Sequence, residues 1–186
     1  MKPGITLLMI AGALLGACSE APAPAVDAVD TAELADPAVR GAELLAPFKS
    51  DLKAALLAGM QEGPAVAIEV CSEKAPGIAA SLSVDGVAMG RSSHKLRNPD
   101  NAPPDWLAPL LETYVSTAGE LAPQTVALAD GRTGYAEPIT MQPLCLTCHG
   151  TELDPAIAAQ IAASYPADEA TGFAAGDFRG VFWVEF

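Results

Sequence analysis

Apolar positions recur at intervals of three and four along residues 36–60, where Leu45, Phe48, Leu52, Ala55/Leu56 and Gly59 fall on one stripe. That spacing predicts an amphipathic helix, kinked or restarted at Pro47, whose ring removes an N–H and crowds the preceding turn. Gly63-Pro64 predicts a second helix start, with proline in the first turn. Ala67, Cys71, Ala75, Ile78 and Leu82 continue a stripe, and Pro76 is expected to bend or end regular helix there. Asp85-Gly86 predicts a turn, after which Val87, Met89 and Arg91 alternate as in a strand. Pro103-Pro104-Asp105 opens a helix with Trp106, Leu110, Leu111 and Tyr114 on one side. Residues 125–129 and 133–139 flank Asp130-Gly131 and predict a hairpin. A short helix through Cys145 to His149, a helix over 156–164 and a last strand over 178–186 complete the chain. Helices come first, then strands interleaved with helices, with no regular βαβ unit and no internal repeat. The expected fold class is α+β with an antiparallel sheet.

The first residues follow a different pattern. Lys2 precedes an apolar run over residues 5–15 with no other charge before Cys18. That is an n-region and an h-region, too short to span a bilayer as a mature helix. The run ends in Leu15-Gly16-Ala17-Cys18, which resembles the bacterial lipobox, where the cysteine is lipidated and becomes the first mature residue. An ordinary secretory signal with an incidental cysteine is the plainer alternative. Residues 1–17 are thus expected to be a lipoprotein signal peptide. Residues 18–35, rich in Ala, Pro, Val and Asp, are expected to be a flexible tether, and residues 36–186 the folded domain. Ser19 after the cysteine favours the outer membrane by analogy with enterobacterial sorting, so the expected location is the periplasmic side, lipid-anchored through Cys18.

Composition narrows the function. The 186 residues suit one domain, and 10 basic against 23 acidic side chains give a net charge of -13. Such a chain has no electrostatic footprint for nucleic acid and no basic patch for anionic lipid. Hydrophobic residues make up 51%, yet 37 residues are alanine and only 5% are aromatic, so the core is modest in volume and would gain from a bulky apolar cofactor. Four cysteines are too few for a disulfide scaffold, and two histidines exclude a His-rich metal site.

Cys145-Leu146-Thr147-Cys148-His149 carries the strongest chemical signal. The spacing C-x-x-C-H is that of c-type haem attachment: two thiols on one turn reach the two vinyl groups, and the adjacent imidazole becomes the proximal iron ligand. Export agrees with this, because c-type haem is attached outside the cytoplasm. A thioredoxin-like redox pair would want a βαβ context. A structural zinc site would need four ligands, for instance Cys71, His94, Cys145 and Cys148. For the other axial position the residues alone leave Cys71, His94, Met60, Met89 and Met141 open. Cys71 lies on an inward stripe, where a lone cysteine is usually a small hydrophobe. His94 lies in a polar segment that reads as surface.

Several segments together resemble a known family. They are Ala67-Ile68-Glu69-Val70-Cys71 with Ala75-Pro76, Gly90-Arg91-Ser92-Ser93, Leu96-Arg97-Asn98-Pro99, Asn101-Ala102-Pro103 and Trp106. Glu137-Pro138-Ile139, the haem motif through Gly150, Tyr165-Pro166-Ala167-Asp168 and Gly176-Asp177-Phe178-Arg179-Gly180 follow. From about residue 40 to 186 the chain resembles single-haem c-type proteins with a PAS-like fold, known as stand-alone periplasmic proteins and as sensor regions of bacterial signalling proteins. The resemblance implies a PAS-like antiparallel sheet flanked by helices, with an N-terminal helical segment, and one covalent haem c. It also implies His149/Cys71 axial ligation. His94 departs from the pattern: members of the family tend to carry an apolar residue there, and a histidine has the chemistry to compete for iron or sit near a propionate. Arg91, Lys95, Arg97 and Arg179, in or beside the matched segments, are candidate propionate partners.

Imidazole plus thiolate stabilises ferric iron, so a low reduction potential is expected. Two protein ligands leave no open coordination position, which argues against an enzyme. Electron transfer with a redox partner is the expected role. The alternative is a haem-based redox or gas sensor that signals through a partner protein.

Overall fold

The computed structural model describes residue 1 and residues 36–186. The expected signal peptide, the tether and Cys18 lie outside the described residues. Among the described residues, no helix is long and apolar enough to cross a membrane.

The chain opens with two helices, α1 (Pro37–Glu62) and α2 (Pro64–Leu82). Asp36 caps α1 by accepting a hydrogen bond from Ala38 N–H at 2.9 Å. One residue, Gly63, joins the helices. Its φ of 123° is a conformation that side chains with a Cβ rarely adopt, and its N–H bonds back to Gly59 and Met60. Neither internal proline interrupts its helix. The α1 helix is not restarted at Pro47, and α2 runs through Pro76 to Leu82 rather than ending there. An interior proline costs about 3 kcal/mol. The packing around each offsets that: Leu45 and Phe48 flank Pro47 and are buried, while Ala75 is buried beside Ile78, Ala79 and Leu82. Full burial of a Leu or Phe side chain contributes roughly 1.5–3 kcal/mol.

The sheet has four antiparallel strands: β1 (Ala88–Ser92), β2 (Gln124–Ala127), β3 (Thr133–Thr140) and β4 (Phe178–Glu185). Their spatial order is β1-β4-β3-β2. Asp130-Gly131 forms the expected hairpin between β2 and β3. Alternation along the strands splits the core. Met89, Tyr135 and Val184 pack with Leu45, Phe48 and Leu52 of α1. Ala136 and Val181 pack on the opposite face with Leu111 and Tyr114 of α3 (Ala108–Ser116). Trp106 sits in the turn ahead of α3 rather than inside it, because Leu107 N–H bonds to Pro104 O and regular helix begins at Ala108. From there its indole donates to Glu185 at 2.7 Å, and Arg132 pairs with the other Glu185 oxygen. The haem-type motif occupies a 3-10 turn (Pro143–Cys145) and the four-residue α4 (Leu146–His149), followed by α5 (Pro155–Ser164). The fold is α+β, with a PAS-like antiparallel sheet flanked by helices, as expected.

Candidate functional site

A cavity of about 420 Å³ opens between α1, α2, the sheet and the haem-type motif. Cys71, Cys145, Cys148 and His149 all border it. So do Met60, Met89 and Met141, while His94 does not. The stripe spacing on α2 turns Cys71 inward, and burial pushes its thiol pKa up, opposed by the charges of Arg91 and Arg97. Two small apolar clusters seat the motif. Cys148 packs with Ile68, Ile157, Ile161 and Tyr165, and Cys145 and Leu146 pack with Met141, Ala170 and Phe173.

A segment near the C-terminus sets the orientation of His149. Ala170 O lies 2.6 Å from His149 Nδ1. A carbonyl only accepts, so Nδ1 carries the proton and Nε2 presents its lone pair. Burial, followed by the charges of Arg97 and Arg179, lowers the His149 pKa to about 3, so the ring is neutral and able to ligate. Phe173 N–H donates to His149 O and Gly172 N–H to Gly150 O, each at 3.0 Å, which lays residues 170–173 alongside the motif.

Arg97 locks this arrangement. Its guanidinium grips Asp168 through Nε at 3.1 Å and a terminal nitrogen at 3.2 Å. The same nitrogen donates to Cys148 O at 2.5 Å and Ala170 O at 3.3 Å. Asp168 in turn accepts from Ala170 N–H at 2.9 Å. The pair is buried, with side-chain exposures of 11% and 9%. Arg97 is therefore a clamp on the motif, a role its sequence context did not suggest. Asp168 and the Ala170 carbonyl also went unassigned, although Tyr165-Pro166-Ala167-Asp168 stood out as a motif; a backbone acceptor leaves no side-chain signature.

The remaining candidates divide. Arg91 borders the cavity from β1. Arg179 is the extra residue of a β4 bulge: Ile139 pairs with Gly180 and Thr140 with Phe178. Gly180, at φ 149°, permits the bulge, since a Cβ there would collide with Ser92 O. Arg179 donates to Ser93 Oγ at 2.8 Å and to Lys95 O at 3.1 Å. Lys95 lies away from the cavity with Nζ 5.0 Å from the centre of the Phe173 ring. His94 is exposed and stacks on Phe178 at 5.6 Å between ring centres. It belongs to a smaller pocket with Lys95, Phe173 and Phe178.

The alternatives to haem lack support in this geometry. Among the described residues no group of three His, Cys, Asp or Glu side chains is gathered to hold a metal ion, so Cys71, His94, Cys145 and Cys148 do not form a zinc site. The antiparallel sheet contains no βαβ unit to present a thioredoxin-like pair.

The Tll0287-like family model matches residues 26–186. The chain belongs to the Tll0287-like family. Among solved structures the chain is similar to that of the cyanobacterial heme-protein Tll0287, with 27% identity and a TM-score of 0.53. That similarity covers 63% of this chain and 71% of the other. No match was found among curated proteins. Membership of the Tll0287-like family agrees with the resemblance to single-haem c-type proteins, and the match to a solved structure agrees with the PAS-like fold.

Proposed function

We propose that the protein is a c-type cytochrome carrying one covalent haem, held on the periplasmic side by a lipid on Cys18, and acting in low-potential electron transfer. The observation that carries this reading is the convergence on one cavity of Cys145 and Cys148, a His149 whose Nε2 is kept free by Ala170, and an inward-facing Cys71. The residues fit the group in size and polarity as well, since the cavity volume falls within the range of small-molecule and cofactor sites and its wall is mostly apolar. Bound there, haem supplies a one-electron couple. Cys145 and Cys148 would hold it by thioethers, His149 and Cys71 would bind its iron, and Leu52, Ile68 and Phe182 would exclude water. With His149 and Cys71 both given to the iron, the chain would leave a substrate no place on it, and no catalytic residue is assigned.

Colour is the test. Haem should stay with the polypeptide through denaturation and acid-acetone extraction, and Cys145→Ser/Cys148→Ser should lose it. A parent protein that gives up its haem to the solvent, or purifies with stoichiometric zinc, overturns the proposal.

A second observation favours a sensor role. Met60, Met89 and Met141 line the same cavity as Cys71, so it holds other donors that could replace a Cys71 thiolate on reduction. Slow ligand exchange on reduction, or uptake of CO or NO, would mark a sensor. Fast reversible reduction with unchanged ligation would mark a carrier. Anchoring is separable from both: Cys18→Ser should release the protein from the membrane fraction or block its processing, and a variant that stays fully membrane-bound and normally processed removes the lipid from the proposal.

A further inference from the structure

Charge is distributed unevenly between cavity and surface. The chain holds 23 acidic and 10 basic residues, yet Lys49, Lys53, Arg91, Arg97 and Arg179 border the cavity against one carboxylate, Asp100. Half of the cations of an acidic protein face a single, mostly apolar space. Three of the five need no ligand. Lys49 pairs with Glu137, Arg97 is forked onto Asp168, and Lys53 is exposed and can stay hydrated.

Arg91 and Arg179 are left. Among the described residues Arg91 makes no ion pair, and Arg179 meets only the Ser93 hydroxyl, the Lys95 carbonyl and the Phe173 ring. Arg91 and Arg179 are half-buried, a cation partly withdrawn from water gains from a counter-charge, and a planar guanidinium is shaped to take a carboxylate through two parallel hydrogen bonds. Burial lowers both pKa values, that of Arg179 to about 10, which is the direction expected of cations awaiting an anion.

We propose that Arg91 and Arg179 are the binding site for the two propionate carboxylates of the haem. The proposal rests on the reading of the cavity as a haem site. Charge balance agrees with it. Ferric porphyrin carries one positive charge at its centre, which a Cys71 thiolate would cancel, leaving two carboxylates for two guanidiniums. The alternative anion for Arg91 is the Cys71 thiolate itself, which with Tyr165 acts electrostatically on Arg91. Arg179 is influenced by Arg91, Arg97, Asp168 and Cys145.

The test is the reduction potential of the purified holoprotein followed across pH, with covalent haem scored first by denaturing extraction. Arg91→Gln and Arg179→Gln should each keep the haem and the ferric spectrum. In each, the potential should fall, because a cation that opposes the ferric charge is gone. The pH at which the potential begins to vary should rise by about one unit, because a carboxylate deprived of its guanidinium protonates more readily. Arg91→Lys should restore most of the parent profile, and Lys53→Gln should superimpose on it. If both glutamine variants superimpose on the parent, the proposal is overturned. It is equally overturned if the Arg91→Gln effect disappears in a Cys71→Ala background, since Arg91 would then serve the thiolate. Should a glutamine variant fail to fold, the reduced-minus-oxidised infrared spectrum of the lysine variants gives a second readout: a carboxylate band shifted from the parent supports the pairing, and an unshifted band refutes it. A parent without covalent haem refutes the cavity reading itself, and extraction shows that before any potential is measured.

Discussion

Cys71→Ala should leave haem on the chain while abolishing the low-spin ferric signature of a thiolate ligand. Cys145 ends the 3-10 turn, Cys148 lies in α4 and His149 keeps its orientation from Ala170, so none of them needs the Cys71 thiol to hold its place. What changes is the opposite side of the cavity. Loss of an anionic donor destabilises the ferric state, and the potential should rise by on the order of 0.1 V, within the ~0.8 V range that axial ligands span. The vacated position should admit CO or imidazole. Cys71→Ser keeps the packing volume but should not restore the thiolate spectrum, which separates ligation from core filling. Because His94 is exposed and turned toward Phe178, His94→Ala should leave the ferric spectrum unchanged. A silent Cys71→Ala with an altered His94→Ala would reverse the assignment. Absorption and EPR spectra of the two variants are the measurements.

Asp168→Ala should be the most damaging single change away from the ligands. It strips the partner from a buried guanidinium and removes the acceptor of Ala170 N–H at one stroke. Breaking a buried ion pair from one side costs about 3–5 kcal/mol, a large part of the stability of a domain this size. The urea midpoint should fall accordingly. The second consequence is local: with residues 168–170 released, the Ala170 carbonyl no longer sets the proton of His149, and the ferric spectrum should become heterogeneous. A variant with the parent's midpoint and a single ferric species would show that the clamp is dispensable.

The elements that could be read from the sequence are those whose cause is local. Asp130-Gly131 specifies a hairpin through its own backbone preferences, and C-x-x-C-H points to haem attachment through its spacing alone. Pro76 misleads because what overrides it is the burial of Ala75 against α1, which no window of neighbouring residues contains. Trp106 misleads because its indole is drawn to Glu185, 79 residues away. In the site, Cys71 could be placed inward from its stripe, yet five residues remained open for the second axial position until a resemblance singled one out. The clamp was illegible for another reason: Arg97 acts on carbonyl oxygens of Cys148 and Ala170, and main-chain acceptors are common to every residue type.

The strand order has a consequence for when this protein can fold. Among the described residues β1 has one strand neighbour, and that neighbour is β4, which follows every other strand in sequence. The β2–β3 hairpin can form by itself, but the sheet cannot close until residues 178–185 have emerged, and contacts of such long sequence separation form slowly. The segment that lies against the C-x-x-C-H motif, residues 168–173, also follows the motif in the chain. As the chain emerges the two thiols therefore pass an interval in which residues 168–173 have not yet covered them. Topology thus leaves the C-x-x-C-H thiols open until residues 168–185 are in place, and then shuts them inside.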